Sequence, residues 1–145
     1  MNITQTECDH LLGLEKEFED RISPIPLGPS PIRWTRIINS TQSHDTFLLD
    51  FNRGSIEVRR YTFNKRFRQT IILLRYDNEG RHTNPDGVHF SGPHVYLYRE
   101  GYNDKFAYPP STIGIGNNDD MDVVLKKILL YCNVVKSPGV ESPMY

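Results

Sequence analysis

The sequence predicts an α+β fold, in which a single domain holds a mostly antiparallel, curved sheet flanked by an N-terminal and a C-terminal helix. Three observations support this class. A capping motif and a helical apolar pattern open the chain, β-branched and aromatic segments follow with polar turns between them, and a second helical pattern stands near the C-terminus. A chain of 145 residues is long enough for one domain with its own core. We place this domain at residues 1–136 and a flexible tail at residues 137–145.

The N-terminal helix is predicted for residues 5–19. Thr4 is followed three residues later by Glu7, which is the spacing of a capping box. Leu14 and Phe18 belong to the apolar face of this helix. The next segment, SPIPLGPSP, contains four prolines and is predicted to be an extended connector, because proline lacks an amide donor and disfavours helix at the residue before it.

Strand-like segments follow this connector. They are rich in β-branched and aromatic residues, and short polar turns join them, so an antiparallel meander is the simplest topology. The fourth is more continuously apolar, as expected of a central strand. The segments are residues 32–39, 45–52, 55–63 and 69–77, followed by two short strands in HVYLYRE and KFAY.

The second helix is predicted within DDMDVVLKKILLYCN, with Asp119 or Asp120 as its N-cap. The apolar positions of the predicted elements should meet in one contiguous core. This predicted core consists of Leu11, Leu14, Phe18, Phe47, Leu49, Ile72, Leu74, Leu125, Ile128 and Leu129.

Charge is unevenly distributed along a chain whose net charge is −1. Between residues 53 and 75 there are seven arginines and lysines and one acid, Glu57. This segregation can build a basic face that meets a phosphate-bearing partner such as RNA. It can equally place the cations on solvated strand edges.

Two cysteines, Cys8 and Cys132, lie far apart and without metal-ligand spacing. We expect free, buried thiols; a bridge between the terminal helices or a reactive thiol is the alternative. The N-terminus lacks a signal-peptide pattern, and no apolar segment approaches the length of a membrane span. The expectation is therefore a soluble, cytoplasmic protein that does not contact a membrane.

The densest group of functional residue types lies in GRHTNPDGVHFSGPHVYLYREGYNDKFAYP, residues 80–109. Asn84-Pro85-Asp86-Gly87 predicts a tight turn, which should bring His82 or His89 towards the strand that carries His94. Strand alternation would place four of its side chains on one surface. These are His94, Tyr96, Tyr98 and Glu100.

The segments VRRYTF, LLRYD, HTNPDG, GPHVYLYREGYNDKFAYP and YCN together resemble a family of short uncharacterised bacterial and phage-associated proteins, over nearly the whole chain. Members often carry a second histidine where this chain has Tyr96. The resemblance implies no activity. The matching positions are Arg60, Tyr61, Arg75, His82, Asn84, Pro85, Asp86, Gly87, Pro93, His94, Glu100, Gly101, Tyr102, Lys105, Ala107 and Pro109.

A metal site could be drawn from His82, Asp86, His89 and His94, because imidazole and carboxylate suit zinc or another divalent ion. Their spacing matches no established ligand pattern. We therefore predict no metal and no cofactor.

Metal-independent RNA cleavage fits the residue inventory best. Attack of a 2′-hydroxyl on its own phosphate needs a proton acceptor, a proton donor and cations. The predicted catalytic residues are His82, His94, Glu100 and Tyr102. The predicted substrate-binding residues are Arg60, Arg75, Tyr96, Tyr98, Arg99 and Lys105. Such a protein could be the toxin of a toxin–antitoxin or phage-defence system, with a cognate antitoxin as partner.

The alternative is a non-enzymatic interaction or inhibitor protein of a phage or mobile element, which would bind a host protein through the same Tyr- and Arg-rich strand. Its anchors would be Tyr96, Tyr98, Tyr102, Phe106 and Tyr108. From the sequence, whether the chain is an enzyme stays open. The cleavage hypothesis also predicts that the side chains of His94 and Glu100 are at least partly exposed.

Overall fold

A computed structural model describes residues 2–57 and 59–141. Within these residues two α-helices, ten strands and one 3₁₀ helix follow one another. In chain order they are α1 (Gln5–Gly13), β1 (Lys16–Phe18), β2 (Ile32–Ser40), β3 (Thr46–Arg53), β4 (Tyr61–Phe67), β5 (Ile71–Asp77), β6 (Arg81–Thr83), β7 (His89–Ser91), β8 (His94–Leu97), β9 (Ala107–Tyr108), the 3₁₀ helix Pro110–Ile113, α2 (Met121–Tyr131) and β10 (Val134–Lys136).

Eight strands form one sheet in the order β10-β1-β2-β3-β4-β5-β8-β9. Neighbouring strands are antiparallel except β1 and β10, which are parallel. Strands β6 and β7 form a separate two-stranded hairpin. One face of the large sheet and the buried sides of both helices share a single apolar core. The α+β prediction is therefore confirmed.

Helix α1 is shorter than predicted. The capping box is confirmed, since the Thr4 hydroxyl accepts from the Glu7 amide at 3.1 Å and the Glu7 carboxylate accepts from the Thr4 amide at 3.4 Å. The helix ends at Gly13 instead of residue 19. Residues 16–18 instead form strand β1, whose inward, outward, inward pattern has a period of two.

The third predicted strand begins later than expected. Strand β3 continues to Arg53, which pairs with Tyr61 on β4, so the segment between them must form the connection. Within it the Arg60 amide donates to the Glu57 carbonyl in a turn. The strand predicted for residues 55–63 is accordingly observed at Tyr61–Phe67.

The predicted core is confirmed at every position but one: Ile72 is only half-buried. The reason is a bulge in β5, where Lys65 of β4 pairs with Leu74 and Arg66 pairs with Ile72, so that Leu73 has no partner. The extra residue shifts the side-chain phase, and both Leu73 and Leu74 are fully buried.

The basic segment does not form a continuous basic face. Arg53 and Lys65 point into the core and are about 1% exposed. Arg53 donates to the Leu27 carbonyl, and Lys65 Nζ lies 5.0 Å from the Phe47 ring centre. Strand alternation directs Arg53 on β3 and Lys65 on β4 into the core. These two cations are therefore not part of a basic surface.

The segment predicted as a flexible tail contacts the connector before β2. The Ile25 amide donates to the Gly139 carbonyl at 2.8 Å, and the Glu141 amide donates to the Ile25 carbonyl at 2.9 Å. Residues 142–145 lie outside the described residues.

Candidate functional site

The β6–β7 hairpin is held against the edge of the sheet by its turn. The Gly87 amide donates to the Asn84 carbonyl at 2.8 Å, and Gly87 has a φ of +92°, which favours glycine. The buried Asn84 carboxamide bonds the Ala107 backbone twice, at 2.8 and 3.0 Å. The predicted tight turn is thus confirmed, and it docks the hairpin on strand β9.

This docking places His82 beside strand β8. Its ring lies 4.8 Å from the Tyr96 ring in an edge-on arrangement and 6.3 Å from the His94 ring, measured between ring centres. The prediction that the turn brings a histidine towards His94 is confirmed. His89 instead bonds the Thr83 hydroxyl at 3.0 Å on the exposed side of the hairpin.

Backbone carbonyls fix the tautomers of both imidazoles. His82 Nε2 lies 2.8 Å from the Lys105 carbonyl, and His94 Nδ1 lies 2.7 Å from the Gly92 carbonyl. A carbonyl only accepts, so each of these nitrogens carries hydrogen. In the neutral rings the lone pairs are therefore on His82 Nδ1 and His94 Nε2.

The second nitrogen of His94 faces two oxygens. Its Nε2 atom lies 3.1 Å from the Tyr96 hydroxyl and 3.7 Å from a carboxylate oxygen of Asp77. The other Asp77 oxygen accepts from the Thr62 hydroxyl at 2.7 Å and from Arg75 at 3.3 Å. Burial, followed by the Asp77 charge, raises the pKa of Tyr96 and keeps its hydroxyl protonated at neutral pH.

Arg75 completes this group. Its guanidinium carbon lies 5.7 Å from the centre of the Tyr96 ring, and its side chain is 43% exposed. We call His82, His94, Tyr96, Arg75 and Asp77 the imidazole cluster. It combines two imidazoles, a phenol, a cation and a buried carboxylate at one end of the sheet.

The imidazole cluster opens onto the polar face of the sheet, opposite the core. A groove of about 370 Å³ crosses strands β2 to β5 there. Its polar lining includes Arg33, Asp50, Asn64, Arg66 and Arg75.

The predicted alternation beyond Tyr96 is wrong, because β8 ends at Leu97. The Tyr98 amide donates to the carbonyl of Leu73, the bulge residue, and its side chain turns into the core. The Tyr98 hydroxyl accepts from the Ile3 amide at 3.0 Å and donates to the Ile3 carbonyl at 2.6 Å. The Tyr98 ring therefore cannot stack on a base or anchor a partner.

Glu100 lies at the start of helix α1. Its carboxylate accepts from the Gln5 amide at 2.7 Å, while the Gln5 side chain accepts from the Glu100 amide at 3.0 Å. Within the described residues it has no contact with His82 or His94. The expectation of partial exposure holds for Glu100, which is exposed, and is wrong for His94, which is 1% exposed beneath His82 and Phe90.

Three further predicted residues lie around the turn after β8. Tyr102 is 44% exposed and packs edge-on against Phe106, with ring centres 4.9 Å apart. The Arg99 guanidinium lies 4.2 Å from the Phe106 ring centre and 5.6 Å from that of Tyr102. We call Arg99, Tyr102 and Phe106 the aromatic turn. Lys105 contacts the imidazole cluster through its backbone carbonyl, which bonds His82 Nε2. Its side chain is exposed.

Arg60 lies at the start of β4, near Gly80. A Cβ at Gly80 would sit 3.1 Å from an Arg60 side-chain nitrogen, and the φ of Gly80 is +113°. Arg60 is exposed and has no contact with the imidazole cluster among the residues described.

No group of three metal-ligating side chains is assembled in residues 2–57 and 59–141. Of the four side chains considered as ligands, Asp86 accepts from the Val88 amide inside the turn, and His89 faces Thr83. Cys8 and Cys132 are free and buried, as expected.

Sequence reasoning missed Asp77, Thr62 and Asp50. Each was read as part of a strand, and only the pairing of distant strands brings Thr62 and Asp77 to His94. The one available signal was the charged end of IILLRYD, where an acid closes an apolar strand.

Comparison with known proteins identifies the family of this chain. Residues 3–134 match the sequence profile of a family of unknown function. The chain belongs to DUF6978. The resemblance to an uncharacterised family is thereby confirmed, and the imidazole cluster lies wholly inside the DUF6978 region. No curated protein and no solved structure matches the chain.

Neither α1 nor α2, the helices of the described part of this DUF6978 member, is long and apolar enough to cross a membrane.

Proposed function

We propose that this protein cleaves RNA by metal-independent transfer of a 2′-hydroxyl onto the neighbouring phosphate, with the imidazole cluster as its catalytic site. One observation carries the proposal: the ring of His82 and the guanidinium of Arg75 both lie within 6 Å of the Tyr96 ring centre, and His94 bonds its hydroxyl. Side chains alone thus supply a proton acceptor, a proton donor and a cation.

The reaction assigns each side chain one role. His82 Nδ1 accepts the proton of the 2′-hydroxyl as the new bond from O2′ to phosphorus forms. The bond from phosphorus to O5′ breaks, and the Tyr96 hydroxyl gives its proton to the departing O5′. In this step His94 acts as an imidazolium next to the Asp77 carboxylate, and its Nε2 proton passes to Tyr96 as Tyr96 gives up its own. After the products leave, His82 releases its proton to water and His94 regains one from water through Tyr96, which restores the starting state. The products are a 2′,3′-cyclic phosphate and a 5′-hydroxyl.

Arg75 neutralises the phosphate in this scheme. Its Nε atom bonds Asp77, and among the described residues its two terminal nitrogens have no hydrogen-bond partner. Guanidinium nitrogens match phosphate oxygens in geometry and in charge. The negative charge that builds up on phosphorus in the transition state would therefore meet a cation at the mouth of the site.

The proposal changes the residue roles inferred from sequence. It keeps His82 and His94, and moves Tyr96 from base stacking to proton donation. Glu100 and Tyr102 leave the catalytic set, because Glu100 is engaged with helix α1 and Tyr102 belongs to the aromatic turn. The biological setting that we propose is a toxin of a toxin–antitoxin or phage-defence system, because uncontrolled RNA cleavage arrests growth.

The test is cleavage of a labelled single-stranded RNA by the purified protein. We expect products ending in a 2′,3′-cyclic phosphate, full activity in chelator, and loss of cleavage at any position where the 2′-hydroxyl is replaced by hydrogen. Intact RNA over a range of sequences, or cleavage that survives 2′-deoxy substitution, would overturn the proposed reaction.

A second candidate, a non-enzymatic inhibitor of a host protein, is favoured by the aromatic turn. Tyr102 presents an exposed ring that packs against Arg99 and Phe106. Tyrosine and arginine are enriched among the residues that contribute most to binding at protein interfaces. If this candidate is correct, Tyr102→Ala abolishes the cellular effect of the protein and His82→Ala leaves it intact. The ribonuclease proposal requires the opposite pattern.

A further inference from the structure

The register of the sheet joins the imidazole cluster to the groove in two continuous rows. Each row takes one side chain from each of five adjacent strands, β2, β3, β4, β5 and β8. The first row is Thr35, Asp50, Asn64, Arg75 and Tyr96. The second row is Arg33, Asn52, Thr62, Asp77 and His94.

The centre of the groove is neutral and fixed. Arg66 bonds both carboxylate oxygens of Asp50, which also accepts from Thr35 at 2.7 Å and from Asn64 at 3.2 Å. Partial burial opposes ionisation of Asp50, but the bonds from Arg66 and Thr35 outweigh it and lower the pKa of this carboxyl. The Arg66 charge is therefore cancelled by a neighbouring carboxylate.

Cations flank this neutral centre on both sides. Arg75 stands at the end next to Tyr96, and Arg33 stands at the far end on β2, where it is exposed and makes one long hydrogen bond of 3.4 Å to Asn52. Neighbouring strands lie about 4.8 Å apart, so the three steps from β5 to β2 span about 14 Å. That separation exceeds one nucleotide step and suits two phosphates that are not adjacent.

Between the two arginines the groove offers amides and hydroxyls. These groups belong to Thr35, Asn52, Thr62 and Asn64. Amide and hydroxyl groups of this kind read unpaired bases, whose edges are free, whereas the edges of a duplex are engaged in pairing.

We propose that the substrate is a single-stranded RNA that crosses strands β8, β5, β4, β3 and β2 along these rows, with the scissile phosphate at Arg75 and a remote phosphate at Arg33. The inference rests on the proposed function for the position of the scissile phosphate. What it adds is the path of the RNA across the sheet and the requirement for several unpaired nucleotides. A dinucleotide would reach Arg75 and miss Arg33.

The experiment compares Arg33→Gln with Arg21→Gln. Arg21 is also an exposed cation, lies outside the groove and pairs with Glu17, so it controls for the loss of one charge. For each protein, kcat/KM is measured with a dinucleotide and with a single strand of about ten nucleotides, a length within the usual range of single-strand sites. Binding of the same strand in its uncleavable 2′-O-methyl form is measured in parallel, against a 2′-O-methyl duplex as competitor.

We expect Arg33→Gln to lower kcat/KM about 10-fold for the long strand, to leave the dinucleotide unchanged, and to reduce the salt dependence of binding by about one ion. The duplex should compete poorly. Equal behaviour of Arg33→Gln and Arg21→Gln, or equal competition by the duplex, would overturn the path across the groove and leave RNA cleavage standing. Binding of the methylated strand that depends on Arg33, with no cleavage of unmodified RNA, would support the path and refute the proposed reaction.

Discussion

His94 Nε2 lies 3.1 Å from the Tyr96 hydroxyl, while its other nitrogen is committed to the Gly92 carbonyl. Because His94 is almost fully buried, this pair reaches the groove only through the half-buried phenol of Tyr96. Of the two oxygens that face His94 Nε2, the Tyr96 hydroxyl is the nearer, at 3.1 Å against 3.7 Å for Asp77, so we expect proton transfer between the buried imidazole and the surface to pass through Tyr96.

Replacing Tyr96 with phenylalanine should therefore remove the proton donor and keep the ring that packs against His82. We expect RNA cleavage by the folded protein to fall about 10²-fold, the usual contribution of a positioned acid. The free energy of unfolding should fall by about 1–3 kcal/mol, because the buried His94 Nε2 loses its hydrogen-bond partner. The control is Tyr102→Phe, which removes an exposed hydroxyl of the aromatic turn and should leave the rate unchanged. Equal rates for the two variants would exclude the Tyr96 hydroxyl from the chemistry.

Glu100 should contribute to stability and not to rate. Its carboxylate bonds the first amide of α1, where a negative charge is favourable and a capping interaction contributes about 1 kcal/mol. Glu100→Ala should lower the free energy of unfolding in urea by about that amount and preserve cleavage by the folded protein. A large loss of rate without loss of stability would return Glu100 to the catalytic set.

Tyr98 should behave as a core residue. Its buried hydroxyl both donates to and accepts from the backbone of Ile3, so Tyr98→Phe leaves two buried groups without partners. We expect destabilisation of about 1–3 kcal/mol, measured by urea unfolding, and unchanged cleavage below the transition. Wild-type stability of Tyr98→Phe would contradict the anchoring of the N-terminus on this ring.

Lys65 should make the protein more stable as pH rises. Its Nζ has no hydrogen-bond partner among the described residues, and burial lowers its pKa, with only partial opposition from Cys132. Burial and the Lys65 charge also lower the pKa of Lys16 to about 7, against 10.5 for an ordinary lysine. At a pH between the pKa of these lysines in the folded protein and their pKa in the unfolded chain, the unfolded chain binds more protons. The free energy of unfolding therefore increases with pH in this window.

Lys65→Met should raise stability at about pH 7 by about 1–3 kcal/mol, because it removes a buried group without a partner, and should reduce the pH slope. Urea unfolding between about pH 7 and about pH 8.5 measures both effects. This range stays below 9.0, above which the buried Cys8 thiol, whose pKa is raised to about 12, opposes the trend. A destabilised Lys65→Met, or an unchanged slope, would show that Lys65 is charged and partnered in the folded protein.

Local patterns predicted the parts of this fold that local interactions determine. The Thr4–Glu7 capping box, helix α2 and the Asn84–Gly87 turn each depend on residues a few positions apart, and all three are observed. The placement of His82 next to His94 followed from that turn, because two chain reversals within a dozen residues leave the hairpin few directions.

The incorrect sequence predictions concern residues whose positions depend on contacts with segments that are distant in the sequence. Residues 16–18 join the sheet because β10 and β2 offer backbone partners on both sides, and these lie far away in sequence. Strand β8 ends at Leu97, and the next amide, that of Tyr98, bonds the bulge residue Leu73, while the bond between Glu100 and Gln5 joins residues 95 positions apart. Neither is encoded in the two-residue alternation from which the face of His94, Tyr96, Tyr98 and Glu100 was predicted.

The most direct test of the imidazole cluster is the RNA cleavage rate of His82→Gln beside that of His89→Gln. Both histidines lie on the β6–β7 hairpin and both bond a neighbouring oxygen, but only His82 faces Tyr96. We expect a loss of about 10²-fold for His82→Gln and wild-type cleavage for His89→Gln, with both proteins folded. Equal rates for the two variants would show that the proposed proton acceptor is dispensable and would contradict catalysis by the imidazole cluster.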